Sequence, residues 1–229
     1  MHPGFALIVS YLSGSVPSAY LAGRWSGVDL RAHGSGNLGA TNVLRMLGPR
    51  VGAAVFAADA AKGALPVHLL PALTGATGLE LSVIQIACGV AAILGHARPM
   101  FLGFRRGGKG VATAFGVFLA LAPIETTLAL SVFAVVVYTS GYVSLASISG
   151  ATALPVLLGA SFGLRSPLPH VGILALLFVL WTHRANIARL RSGAEYRFDR
   201  SAKLGKRTSI TLGAAVLALA AAFLAARGR

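Results

Sequence analysis

The chain has 229 residues, of which 55% are hydrophobic and 11% charged, with a formal net charge of +14. Soluble domains carry about 25% charged residues, so this composition excludes a soluble globular protein and marks an integral membrane one. The positive charge does not point to nucleic acid, since no zinc-finger spacing occurs and no basic helix stands apart from the apolar segments.

A hydrocarbon core of about 30 Å needs roughly 17–25 helical residues. The first such run is 4–22. Met1-His2-Pro3-Gly4 before it lacks the basic n-region of a cleaved signal, so the run is expected to remain as a membrane helix.

A first basic loop follows, with Arg24, Arg31, Arg45 and Arg50. It contains Gly34-Ser35-Gly36-Asn37-Leu38-Gly39-Ala40-Thr41-Asn42-Val43-Leu44-Arg45. Gly34, Gly36 and Gly39 allow close backbone approach to a ligand, and Ser35, Asn37, Thr41 and Asn42 add polar side chains. Arg45 can grip a phosphate with its fork of donors, and a helix starting near Thr41 would add free amides. Glycines alone would be only a turn; glycines with Asn and Arg read as an anion site.

The run 51–70 carries Asp59 and Lys62 at i, i+3. Unpaired charges at mid-bilayer cost at least about 2.5–3.5 kcal/mol each, so they form either a packing salt bridge or part of a site. The run 80–96 holds the only cysteine, Cys88, which excludes an internal disulfide and reads as a packing thiol. It ends at Gly95-His96. The second basic loop has Arg98, Arg105, Arg106 and Lys109 and reads Gly103-Phe104-Arg105-Arg106-Gly107-Gly108-Lys109-Gly110. This matches the first seven positions of a P-loop, but Gly110 stands where the Mg²⁺-binding Ser or Thr belongs, and a membrane helix precedes it rather than a strand. It reads as a phosphate cradle without nucleotide machinery.

The apolar stretch 111–139 is interrupted by Pro123, which stops or kinks a helix, and is expected to be two short crossings, 111–122 and 124–139. The run 142–162 opens with Ser144 and Ser147, a stripe suited to interhelical hydrogen bonds. The run 168–183 leads to the third basic loop, with eight Lys or Arg in 184–207. There His183 and Asn186 share a helix face at i, i+3, and Glu195 is expected to pair with a local Arg. A last apolar run covers 208–226.

If all three basic loops are cytoplasmic, an even number of crossings must separate each from the next. The expected fold is all-α and integral to the membrane. It has a seven-helix transmembrane core including short helices, an additional C-terminal hydrophobic helix, and the N-terminus outside. No linker or soluble domain is visible, so 1–229 is expected to be a single polytopic membrane domain whose loops assemble one cytoplasmic site.

These motifs together resemble the bacterial acyl-phosphate:glycerol-3-phosphate acyltransferase family. The pattern G-S-G-N-x-G-A-T-N-x-x-R is met by Gly34 to Arg45, and D-x-x-K-G by Asp59 to Gly63. G-H-x-x-P…G-G-K-G-V-A-T is met by Gly95 to Thr113, and H-R-x-N-I-x-R-L-x-x-G-x-E by His183 to Glu195. The Arg105-Arg106 pair is one residue longer than the family's usual single basic residue, and the tail beyond Arg207 is an addition. The family-like catalytic core is thus 1–207, with 208–229 an extra C-terminal helix.

The resemblance implies acyl transfer from acyl phosphate to the 1-hydroxyl of glycerol 3-phosphate in the bacterial cytoplasmic membrane, on its cytoplasmic side. The partners would be these two substrates and membrane lipid, with no nucleic acid. On this reading Ser35, Arg45, Lys109, His183 and Asn186 carry catalysis. Substrate or phosphate binding falls to Gly34, Gly36, Asn37, Thr41, Asn42, Lys62 and His96. Gly107, Gly108, Gly110, Ser144 and Ser147 complete that set, and Asp59 and Glu195 are structural. No cofactor or metal is expected, because the six acids are scattered and Lys and Arg neutralise the phosphates. An organophosphate carrier, the rival class, would show symmetric halves and basic residues at the midplane.

Overall fold

The computed structural model describes residues 1–198, whose regular elements are all helices; the expected helix at 208–226 lies outside the described residues. The helices are α1 (Pro3–Ser15), α2 (Ser18–Trp25), α3 (Ala40–Leu47), α4 (Pro49–Leu69), α5 (Gly78–Ala97), α6 (Val111–Leu121), α7 (Pro123–Ser140), α8 (Val143–Phe162), α9 (Pro167–Thr182) and α10 (Arg184–Arg191). Five stretches are long and apolar enough to cross a membrane: Pro3–Trp25, Pro49–Thr74, Gly78–Leu102, Pro123–Ser140 and Val143–Phe162. The pair α9 and α10, bent by 61°, is a sixth candidate. The chain is therefore an all-α, multi-span membrane protein. It divides into two compact units, Met1–Leu121 and Ala122–Arg229.

In the first unit α1 packs on α5, and α4 on α6. Lipid tails are as apolar as Leu, so helices in a bilayer associate by close backbone approach at small residues. A Cβ on Gly14 would overlap the Ala92 carbonyl of α5, and one on Gly95 the Tyr11 carbonyl of α1. Across the other pair, Gly116 abuts the Ala60 carbonyl and Gly63 the Thr113 carbonyl. Gly116→Val is accordingly expected to lower the thermal transition of the detergent-solubilised protein, overpacking costing about 1–3 kcal/mol. Gly159→Ala, whose Cβ would meet only Leu164 Cδ2 at 3.6 Å, is expected to leave it unchanged; equal transitions for the two variants would contradict this account.

The first apolar run differs from expectation: it is two helices that break at Val16–Pro17, though together they still make a span of 23 residues. Pro17 has no amide to continue the ladder. Val16 N–H donates to the Ser13 carbonyl at 3.2 Å, and the Val16 carbonyl accepts from Ser18 N–H at 3.1 Å. It also accepts from Lys62 Nζ at 2.8 Å, while Ser13 Oγ donates to the Lys62 carbonyl at 3.2 Å. The break is therefore closed by α4. Buried Cys88 packs with Ala6 and Ile84.

The second break falls where expected, at Pro123. With 11 residues α6 is roughly 16 Å long at 1.5 Å per residue, short of the hydrocarbon thickness. In the second unit α8 packs against both α7 and α9. Beyond α10 the chain returns to the α7–α8 turn, where Phe198 N–H donates to the Gly141 carbonyl at 3.0 Å and Arg197 Nε to the Ser140 carbonyl at 3.1 Å.

Candidate active site

The first glycine loop is built around one side chain. Asn42, in the first turn of α3, is buried. Its Oδ1 accepts the Ser35 amide at 2.9 Å, and its Nδ2 donates to the Leu30 and His33 carbonyls, each at 3.1 Å. Leu30 and Leu38 sink into an apolar cluster with Ala19, Ala22, Val43 and Val55, which ties the loop to α2, α3 and α4. Gly34 and Gly36 turn with φ of 63° and 66°, conformations that glycine adopts without strain. The amides of Ser35, Gly36 and Gly39 are all used inside the loop. Of the polar side chains expected to meet an anion, Ser35 is exposed, and Thr41 and Arg45 are half-buried. Asn37 Oδ1 is buried with no hydrogen-bond partner among the described residues. Asn42, expected to meet phosphate, makes three hydrogen bonds with the loop itself, accepting one and donating two. α3 begins at Ala40, close to the expected start.

The second loop turns with Gly103, Phe104 and Gly110 at φ of 63°, 58° and 79°. Gly107 and Gly108 are buried and do not share that conformation. A Cβ on Gly107 would overlap the His96 carbonyl, and one on Gly108 the Nε2 of His96. The Gly107 amide donates inward to the Ala97 carbonyl at 3.0 Å, so the amides available to an anion begin after it. Lys109 follows, half-buried, just ahead of α6.

Between the loops lies a buried charged cluster. Lys62 Nζ stands 2.8 Å from Asp59 Oδ1, and the side chains are 8% and 2% exposed. His96, at the end of α5, brings Nδ1 to 3.7 Å from the same carboxylate oxygen. That distance is too long for a hydrogen bond. Asp59, Lys62, His96, Leu38, Gly107 and Gly108 all line one small pocket, closed on another side by the Val16–Pro17 break. The structure thus gathers Lys62, His96, Gly107 and Gly108 in one place, as the sequence expectation grouped them. The pocket also takes in Leu38 and Val16, which sequence reading missed. Only Pro17, inside an apolar run, signalled the break.

In the second unit, His183 sits buried at the junction of α9 and α10. Its Nδ1 lies 2.9 Å from the Val179 carbonyl. A carbonyl can only accept, so Nδ1 carries the proton and Nε2 is the basic atom of the neutral ring. Asn186, one turn on and buried, donates Nδ2 to Glu195 Oε1 at 2.7 Å, and Arg189 Nε donates to Oε2 at 2.7 Å. Ser147 Oγ donates back to the Val143 carbonyl at 2.8 Å. Ser144 is buried; its hydroxyl weighs on Glu195 but forms no hydrogen bond of good geometry. Among the described residues no cluster of three or more His, Cys, Asp or Glu is arranged to hold a metal.

Burial pushes the Glu195 carboxyl up, but the hydrogen bond from Asn186, the nearby Ser144 hydroxyl, and the hydrogen bond and charge of Arg189 outweigh it and hold it below the usual glutamate value. Its contribution to folding is complete above the ordinary value of 4.5 and is lost as pH falls through the lowered one. Glu195→Gln is expected to cost about 1–2 kcal/mol at neutral pH, read as a lower thermal transition. The gap from wild type should close on acidification, and a gap independent of pH would refute the assignment.

The geometry can be set beside known proteins. Residues 4–193 match the glycerol-3-phosphate acyltransferase family. A glycerol-3-phosphate acyltransferase of Geobacter sulfurreducens is 46% identical over 190 residues, covering 83% of this chain and 94% of the relative. One of Acaryochloris marina is 43% identical over 227 residues, covering 92% and 96%. The crystal structure of PlsY (YgiH), an integral membrane glycerol 3-phosphate acyltransferase, in its glycerol 3-phosphate form superposes with a TM-score of 0.78 at 37% identity, covering 86% of this chain and 96% of that one. Its lysophosphatidic acid form gives 0.77 at 36%, covering 86% and 95%. With its motifs, its helical membrane fold and these likenesses in agreement, the chain belongs to the glycerol-3-phosphate acyltransferase family.

Proposed function

We propose that this protein transfers a fatty acyl group from acyl phosphate to the 1-hydroxyl of glycerol 3-phosphate, giving lysophosphatidic acid and inorganic phosphate. The observation that carries the reading lies in the first unit. Two glycine loops, each followed by a cation (Arg45 and Lys109), border one pocket through Leu38 and through Gly107 and Gly108. Both substrates bear phosphate, so the reaction requires two anion seats. Ser35, Thr41 and Arg45 hold one phosphate, with Asn37 Oδ1 accepting from a hydroxyl. Lys109 and the amides beyond Gly107 hold glycerol 3-phosphate.

The 1-hydroxyl oxygen bonds to the acyl carbonyl carbon, the bond from that carbon to the phosphate oxygen breaks, and the hydroxyl proton leaves on the phosphate. A phosphate with a second pKa of about 6 can accept it. No acyl-enzyme forms, so orientation supplies most of the rate. His183 meets the attacking hydroxyl or the carbonyl through Nε2, and Asn186 stands beside it; donors stabilise the carbonyl as it becomes an oxyanion. Ser144 and Ser147 complete that wall. Charge neutralisation by Lys and Arg leaves no task for a metal or cofactor.

The same reading places the chain in a bacterial cytoplasmic membrane with the N-terminus outside. It counts seven crossings, with 111–122 and 124–139 as short ones, and an eighth at 208–226. The basic loops are then cytoplasmic, and 1–207 is the catalytic core of one polytopic domain. The test is phosphate release by the purified protein from palmitoyl phosphate, with and without glycerol 3-phosphate. Release that needs glycerol 3-phosphate, equals lysophosphatidate formed and vanishes in Lys109→Ala is expected. Absent release with counterflow of labelled glycerol 3-phosphate in liposomes would make the protein a carrier.

A further inference from the structure

Gly107 and Gly108 are not glycines for the sake of their own backbone, since neither has a positive φ. A neighbour excludes the side chain. A Cβ on Gly108 would overlap Nε2 of His96 and stand 2.7 Å from both its Cε1 and the Leu38 carbonyl oxygen. One point on the second loop therefore touches both an edge of the His96 ring and the first loop. The opposite edge of the ring faces Asp59, which Lys62 holds from 2.8 Å. His96 is 5% exposed, and its Nδ1 has no hydrogen-bond partner among the described residues. The ring is thus a spacer clamped between α4 and the two loops, on the side of Gly108 where a side chain would stand.

We propose that His96 is a positioning residue: braced by Asp59, its ring sets the distance between Gly108 and Leu38 and so places Lys109 at the phosphate, without itself touching substrate. This rests on the reaction assigned above. It differs from a binding role, in which His96 would donate to phosphate and the glycines would be small to admit ligand. On the spacer account Gly108 is small to admit the ring.

The two accounts separate in steady-state kinetics of the full chain in detergent, using palmitoyl phosphate and glycerol 3-phosphate. His96→Ala is expected to raise KM for glycerol 3-phosphate by about tenfold or more while kcat stays within about threefold. His96→Asn, which keeps a donor near Asp59 but lacks the Nε2 edge, should do the same and serves if the truncation does not fold. Gly108→Ala should lower kcat/KM by about thirtyfold in the wild-type background and by less than about fivefold in His96→Ala, since the two changes meet at one contact. A collapse of kcat with unchanged KM would overturn the proposal by placing the ring at the reacting atoms. So would an equal loss from Gly108→Ala in both backgrounds, which would give that space to ligand. Transfer by wild type establishes the reaction independently of either variant; its absence would remove the reaction and the spacer together.

Discussion

Asp59→Ala is expected to leave little folded protein, while Asp59→Leu combined with Lys62→Met recovers most of it. The pair lies inside α4, within a membrane span, with both side chains nearly inaccessible. Removing one partner of a buried pair strands the other charge and costs about 3–5 kcal/mol, whereas replacing both with apolar groups of similar size is often neutral. That loss is a large share of a stability of about 5–15 kcal/mol. Recovery should be incomplete, because Lys62 also serves the Val16 carbonyl, which would keep only its bond from Ser18. The measure is the monodisperse fraction and the thermal transition in detergent. Asp59→Ala as stable as wild type would show that the pair contributes nothing to folding.

His183→Ala is expected to reduce kcat by about 10²–10⁴, the range for a lost acid–base or polarising group, with KM for both substrates little changed. The ring is held by its Nδ1–H on the Val179 carbonyl, one turn earlier in α9, which fixes its orientation for chemistry. A loss below about tenfold would leave His183 as a helix-junction residue only. A rise in KM at constant kcat would make it a uniform binder rather than a group acting in the transition state.

Much of this was legible in the sequence because it rests on local chemistry. Pro123 announced the break between α6 and α7, the i, i+3 spacing of Asp59 and Lys62 announced their pair, and apolar length located the other spans. What escaped depends on tertiary approach. Pro17 was as visible as Pro123, but the apolar run around it hid a break that Lys62, far along the chain, helps to close. Asn42 looked like a phosphate ligand because its polarity was plain and the carbonyls of Leu30 and His33 that it serves were not. Nor does anything in the sequence say that a ring from α5 stands where a side chain on Gly108 would be.

The stitch from Lys62 to the Val16 carbonyl spans 46 residues of chain. A growing polypeptide meets the bilayer from its N-terminus, and there the first stretch arrives with the Val16 carbonyl holding only its local bond from Ser18, where lipid offers no second donor. Until α4 has been made and laid alongside, the break at residues 16 and 17 lacks the Lys62 bond that closes it. Completion of the first span thus waits on the second, α4, and fragments ending before residue 62 should integrate less well than their own hydropathy predicts.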